Sequence, residues 1–168
     1  MRPSPFLVNV AALGLTPGTR RHAHRQGPLP GLAVSGSSLP SGAEVHVDVV
    51  LEAVPGAVVV RGEVVAPWQG DCRRCLKEVG GQLRSEVLEV FEHHHDPEQT
   101  YPMVGEQLDL ELLARDAVLL ELPQAPLCHQ GCLGLCAVCG ADLNEAACGC
   151  AAETGDARWA ALDVLRET

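Results

Sequence analysis

Eight cysteines stand in this chain of 168 residues, and they come in four close pairs: Cys72 and Cys75, Cys128 and Cys132, Cys136 and Cys139, Cys148 and Cys150. Thiols this clustered do one of two things in a reducing compartment: they hold a metal ion or they exchange electrons. Structural zinc takes four ligands in a tetrahedron, commonly from two short chelating pairs. Four pairs therefore suffice for one or two structural zinc sites. The run CAVCGADLNEAACGC, residues 136–150, has the form of a zinc ribbon or knuckle. Gly140 directly after its first pair is able to take a positive φ, which lets backbone N–H groups turn toward the thiolates. If those four form one site, Cys72, Cys75, Cys128 and Cys132 form the other. A rival partition joins Cys128, Cys132, Cys136 and Cys139 and leaves Cys72 and Cys75 free or paired with Cys148 and Cys150. Spacing does not choose between them.

The competing chemistry is a thiol redox protein or sensor built on Cys72-Arg73-Arg74-Cys75, with the arginines lowering a thiol pKa. That reading wants the motif at the start of a helix after a strand. Here Gly70 precedes it and Gly80-Gly81 follow, between two strand-like runs. Hydrolytic zinc needs an open coordination position and a nearby general acid or base. No H-E-x-x-H occurs, nor H-x-E paired with P-C-x-x-C. His93, His94 and His95 sit among acidic and proline neighbours and read as a solvated turn. His129, between Cys128 and Cys132, is a possible substitute ligand.

The elements that must position these groups follow from periodicity. Val45, Val47, Val49 and Leu51 alternate with mostly polar residues, the pattern of a half-buried strand. Pro55-Gly56 makes a turn, and Ala57 to Val65 runs back as the second arm of a hairpin. Leu83 to Phe91 is a third strand, and Phe6 to Val10 a first one. Residues 16–43, rich in Gly, Pro and Ser, read as a loop carrying a small basic group at Arg20, Arg21 and Arg25. Asp109 is placed to cap a helix in which Leu110, Leu113, Ala117 and Leu120 recur at helical spacing, ended by Pro123. Asp156 to Arg166 suggests a last short helix with Trp159, Leu162 and Leu165 on one side. With only two Phe, two Trp and one Tyr, the core must rest on Val, Leu and Ala. The expected fold is α+β: an antiparallel β-sheet or partial barrel with one main helix and a C-terminal Cys-rich, zinc-ribbon-like segment. Residues 1–127 make the sheet-plus-helix core; 128–168 make the zinc-binding segment and terminal helix, packed with the core as one domain.

No apolar run reaches about 18 residues, so no membrane span is expected. Phe6 to Leu15 lacks the cleavage pattern of a signal peptide. Both point to a cytoplasmic protein. The charge is −10, from 12 Lys and Arg against 22 Asp and Glu, and each four-thiolate zinc site adds a further −2. Such a surface repels a phosphate backbone at long range.

Taken in order, GDCRRCL, LDLELLARDAVLLELPQAPLC, CLGLCAVCGADLN and DARWAALDVL closely resemble the YceD family, the large ribosomal RNA subunit accumulation proteins of bacteria and plastids. The resemblance runs from about Phe6 to Leu165. It is most specific at C-x-R-C-L (Cys72 to Leu76), LP…PLC (Leu122 to Cys128) and GLC…CG…LN (Gly134 to Asn144). Ala157 stands where the family usually has proline. The resemblance implies a non-enzymatic role in ribosome biogenesis, supporting accumulation of 23S rRNA, with no small-molecule substrate and no catalytic residues. Its partner would be a ribosomal protein or pre-ribosomal RNA. A local basic patch at Arg73, Arg74 and Lys77 is the candidate contact for RNA; the acidic surface favours a basic ribosomal protein.

Overall fold

The computed structural model describes residues 4–13 and 16–150. Its eight strands are β1 (Leu7–Asn9), β2 (Arg20–Pro28), β3 (Ser37–Ser38), β4 (Glu44–Val54), β5 (Ala57–Asp71), β6 (Glu78–Glu92), β7 (Tyr101–Val104) and β8 (Gln107–Asp109), followed by one helix, α1 (Leu110–Glu121). They form one sheet in the order β1-β8-β7-β6-β5-β4-β2, with β3 added to β5. Every pairing is antiparallel except that of β6 with β7. The molecule is thus mostly β, a nearly closed barrel with one helix and a C-terminal cysteine-rich segment.

The alternation of β4 is realised without exception: Val45, Val47, Val49, Leu51 and Ala53 are all buried. β-branched side chains pack well on a pleated, half-buried surface, which is why this run forms a strand. The turn at Pro55-Gly56 closes the β4–β5 hairpin, pairing Val54 with Ala57, and Gly56 takes φ +80°. Both arms of the next hairpin outrun their apolar periodicity. β5 continues from Val65 to Asp71, and β6 begins at Glu78 rather than Leu83. The extra residues pair with each other in full register, Ala66↔Leu83 to Asp71↔Glu78. This extension carries the 72–77 turn beyond the barrel.

Residues 20–28 are not loop. They pair residue for residue with β4, from Arg20↔Glu52 to Pro28↔Glu44. The inward positions of this strand are filled by Ala23 and Gly27, so no run of large apolar residues marks it. At Gly27 a Cβ would stand 2.5 Å from Pro5 Cγ, so the inward face has no room for more. The basic group has a structural task here. Arg25 Nε donates to Leu7 O at 2.9 Å and Arg21 Nη1 to Asn9 O at 3.1 Å. Side chains of the last strand in the sheet thereby satisfy carbonyls of the first and draw the barrel seam together.

Helix α1 is capped as its sequence dictates, with Asp109 Oδ1 accepting from Glu111 N at 3.0 Å. Leu110, Leu113, Ala114, Ala117 and Val118 are buried, but Leu120 is 85% exposed. Periodicity predicts the stripe; it does not say where a three-turn helix leaves the sheet. The core is aliphatic, with Phe6 and Phe91 its largest fully buried side chains. The short helix expected over 156–166, with Trp159, Leu162 and Leu165, lies outside the described residues.

Candidate metal centres

The β5–β6 hairpin ends in a knuckle. Cys72 N donates to Lys77 O at 2.8 Å, and Leu76 N returns to Cys72 O at 2.9 Å. Residues 136–141 repeat the pattern bond for bond: Cys136 N donates to Ala141 O at 2.8 Å and Gly140 N to Cys136 O at 2.9 Å. The residue after the second cysteine is left-handed in both, with φ +73° at Gly140 and +60° at Leu76. Leu76 is the one described non-glycine residue with positive φ. Each tight loop turns backbone N–H groups inward, and Val138 N points at Cys136 Sγ from 3.4 Å.

The eight thiols gather in two groups, Cys72, Cys75, Cys128 and Cys132, and Cys136, Cys139, Cys148 and Cys150; within each, the sulfurs lie within 4.8 Å of one another. The rival grouping of Cys128, Cys132, Cys136 and Cys139 is not formed. The first group is assembled across the chain. Arg73 N donates to Pro126 O at 2.9 Å, which lifts the segment after α1 against the knuckle and delivers Cys128 and Cys132. Cys72, Cys75 and Cys132 are buried there, with Val79, Leu127 and Leu135 packed around them. The second group is more open, with Cys139 exposed and Cys136 and Cys148 half-buried.

The sulfur spacing is that of ligands and not of disulfides. Cys72 Sγ lies 3.8 Å from Cys132 Sγ, and Cys75 Sγ 3.6 Å from Cys128 Sγ. Four sulfurs set about 2.3 Å from a central zinc at tetrahedral angles stand about 3.8 Å apart, whereas a disulfide needs about 2.05 Å. The electrostatics agree. Burial opposes ionisation of Cys72, yet backbone N–H groups of Cys75, Cys128 and Arg74 aimed at its sulfur pull its pKa down to about 6. Burial pushes Cys128 up to about 12, with the neighbouring sulfurs of Cys132, Cys75 and Cys72 adding to the rise. In the second group, the N–H groups of Cys139 and Val138 hold Cys136 at about 6, while Cys150 is pushed up to about 11, first by its bond with Cys139. Sulfurs this close resist joint ionisation, and a dication removes that conflict because a coordinated thiol is deprotonated outright. The residues fit a metal ion at both groups.

The two groups are tied to one another by polar side chains. Arg74 Nη1 donates to Cys132 O at 2.7 Å, and Leu135 N to Arg74 O at 3.1 Å. Lys77 Nζ meets Asp142 Oδ2 at 2.7 Å, off the hydrogen-bond direction, and Glu145 Oε1 at 3.0 Å. That ammonium, followed by hydrogen bonds from the N–H groups of Asn144, holds the Asp142 pKa down at about 2. Asn144 Nδ2 donates to Cys132 Sγ at 3.4 Å, and its Oδ1 accepts from Leu133 N at 2.8 Å. The structural roles of Asp142 and Asn144 escaped sequence reasoning. The signal was a D-x-N run after the knuckle, residue types that bond their own backbone two residues on. Of the three cations considered for a partner, Arg74 and Lys77 face the second segment of this chain, and the Arg73 side chain makes no hydrogen bond or ion pair among the described residues. His129 belongs to neither thiol group, and His93, His94 and His95 are exposed in the loop after β6. No helix among the described residues is long and apolar enough to cross a membrane.

Comparison with known proteins gives a consistent result. A family model described as large ribosomal RNA subunit accumulation protein YceD matches residues 60–166, a span that includes all eight cysteines. An uncharacterised protein of Mycobacterium tuberculosis is 35% identical over 95% of this chain and 80% of its own length. An uncharacterised protein of Mycobacterium leprae is 34% identical over 83% of this chain and 68% of its own. The chloroplast protein of Arabidopsis thaliana named large ribosomal RNA subunit accumulation protein YCED homolog 1 is 36% identical over 40% of this chain and 21% of its own. No solved structure matches.

Proposed function

Because the chain belongs to the YceD family of large ribosomal RNA subunit accumulation proteins, we propose that it is a non-enzymatic ribosome-biogenesis factor of the cytoplasm. It supports accumulation of 23S rRNA by holding a basic ribosomal protein during assembly. Two zinc ions, one on each thiol group, serve its shape and carry no reaction.

The observation that favours protein over RNA is where the cations point. Nine Lys and Arg lie among the described residues. Arg20 pairs with Glu52, Arg84 with Glu63, Arg115 with Glu111, and Lys77 with Asp142 and Glu145. Arg21, Arg25 and Arg74 donate to backbone carbonyls. Arg61 and Arg73 alone, among these nine, make no such bond. An RNA backbone asks for many free cations at once; the described residues offer two, in a chain whose net charge is −10. A basic protein meets the opposite: a steering attraction with little to displace.

Metal at these sites would supply folding energy. The segment 128–150 has no helix and no strand of its own, and Cys132 is its one buried side chain. Such segments fold when ligand binding contributes the free energy that apolar burial does not.

The test has two parts. Depletion of the protein in cells should lower the ratio of large- to small-subunit rRNA, and an unchanged ratio would sink the assembly reading. Metal analysis of reduced protein should return two zinc per chain with thiols masked from reagent. Absence of metal, together with a Cys72–Cys75 disulfide that cycles readily, would favour a thiol redox protein or sensor instead.

A further inference from the structure

β6 is the longest strand with an edge left open. One edge pairs with β5 along all its residues, Glu78 to Glu92. The other meets β7 only at Phe91 and Glu92. Among the described residues, no backbone or side-chain hydrogen bond reaches the outward backbone groups of residues 79–90. An edge of this length is a template for another strand.

One residue of that strand, Glu89, also lines a groove, together with the 95–100 loop. A cavity of about 640 Å³ lies where β7 stops, with Glu89 of β6 on one side, Tyr101 of β7 at its head, and Leu112, Asp116, Leu119 and Leu120 of α1 opposite. The leucines are 47%, 38% and 85% exposed, an apolar row on a helix whose other face is core. Tyr101 Oη donates to Asp116 Oδ2 at 2.8 Å and fixes the head of the groove. Glu98 completes an acidic rim, and no Lys or Arg lines the cavity.

We infer that this groove binds an extended basic segment of a partner protein, which adds to β6 as a strand in line with β7. This inference rests on the proposed capture of a basic ribosomal protein and says where that capture occurs. A strand laid between a sheet edge and a helix gains affinity from main-chain hydrogen bonds and specificity from alternate side chains. Alternate residues of the guest would face the groove, where apolar ones would meet the α1 leucines and a Lys or Arg among them would meet Glu89, Glu98 and Asp116. The charge selects the guest. A second copy of this chain brings acid to acid. The chain's own residues 151–168 carry Glu153, Asp156, Asp163 and Glu167 against Arg158 and Arg166, so they offer no excess of positive charge to the rim.

The probe is a synthetic peptide of about eight residues repeating Lys-Lys-Val-Val, so that each face carries both residue types, and long enough to cover the groove at about 3.3 Å per residue. It is compared with the same peptide methylated on alternate backbone nitrogens, made in both registers. Added to the full-length, metal-loaded protein, the unmodified peptide should slow hydrogen exchange at alternate amides between Val79 and Val90. One methylated register should bind about ten-fold more weakly, as should the Glu89→Lys and Leu120→Asp variants, while Leu133→Asp on the cysteine-rich segment should bind as the parent does. Equal binding of both methylated peptides, protection confined to another surface, or β6 amides already protected before peptide is added would overturn the inference. The last result would mean that a second copy or residues 151–168 occupy the edge. The two readings fail separately. If depletion lowers the rRNA ratio but the peptide ignores β6, the groove assignment falls and the assembly role stands. If β6 takes the peptide but the ratio does not move, the reverse holds.

Discussion

Leu76 carries the sharpest conflict between residue type and backbone. Its φ of +60° is the value Gly140 takes at the matching place in the second knuckle, and its side chain is 66% exposed. A left-handed conformation costs a non-glycine residue about 1–2 kcal/mol, and an exposed leucine recovers little of that by burial. Leu76→Gly is therefore expected to raise stability by roughly 0.5–1 kcal/mol in urea unfolding of the metal-loaded protein, after the added freedom of glycine in the unfolded chain is subtracted. Leu76→Val should lower it, since a β-branched residue is worst at positive φ. The cysteines differ among themselves as well. Cys72→Ser removes a buried thiol grouped with Cys128 and Cys132 of the segment after α1, whereas Cys139→Ser removes an exposed one grouped only with near neighbours. We expect the first to release Cys128 and Cys132 to thiol reagent and the second to leave them masked. Equal exposure in both variants would show the two centres to be one cooperative unit.

Strand β2 and the β5–β6 hairpin show what an element can do without an apolar pattern. β2 holds its place through nine pairings with β4 and through arginines that reach β1. Charge-assisted hydrogen bonds contribute about 1.5–3 kcal/mol each where they are shielded. Arg25 is half-buried, so Arg25→Met should cost about 1–2 kcal/mol and should speed amide exchange at Leu7 to Asn9 before the rest of the sheet. A loss spread evenly over all strands would mean that the seam is not closed by these side chains. The β4–β5 hairpin and the capped α1 were legible in sequence because each carries its own signal, alternation with a turn in one case and Asp109 with an apolar stripe in the other. β2 was not, because small inward residues and an arginine-histidine outer face resemble a polar loop.

The molecule has two cores, an aliphatic one inside the barrel and a small one of Cys72, Cys75 and Cys132 at the hairpin tip. They are built from different physics. The first is held by burial of Val, Leu and Phe; the second is a cluster of thiols that could hold a metal ion. Removing metal with a chelator under reducing conditions should therefore leave the barrel's far-UV spectrum in place while residues 128–150 lose amide protection. Global unfolding on chelation would refute the division. The scarcity of free cations among the described residues follows from the same arrangement. The barrel seam, the surface ion pairs and the ties between the two thiol groups use up cations that composition alone would have left free.

The sequence by itself determined the paired thiols, the hairpin, the helix with its cap and the kinship with a family, because each is written in adjacent residues or in short periods. Only the tertiary structure decided which cysteines share a centre, since that depends on a 15-residue strand pair carrying Cys72 and Cys75 to meet Cys128 and Cys132 from beyond the helix. It also decided that Arg74 and Lys77 face inward to the second segment, and that one edge of β6 pairs with no other strand among the described residues except at Phe91 and Glu92. Contacts between residues far apart in the chain have no local signature, so no reading of spacing or charge could have assigned them.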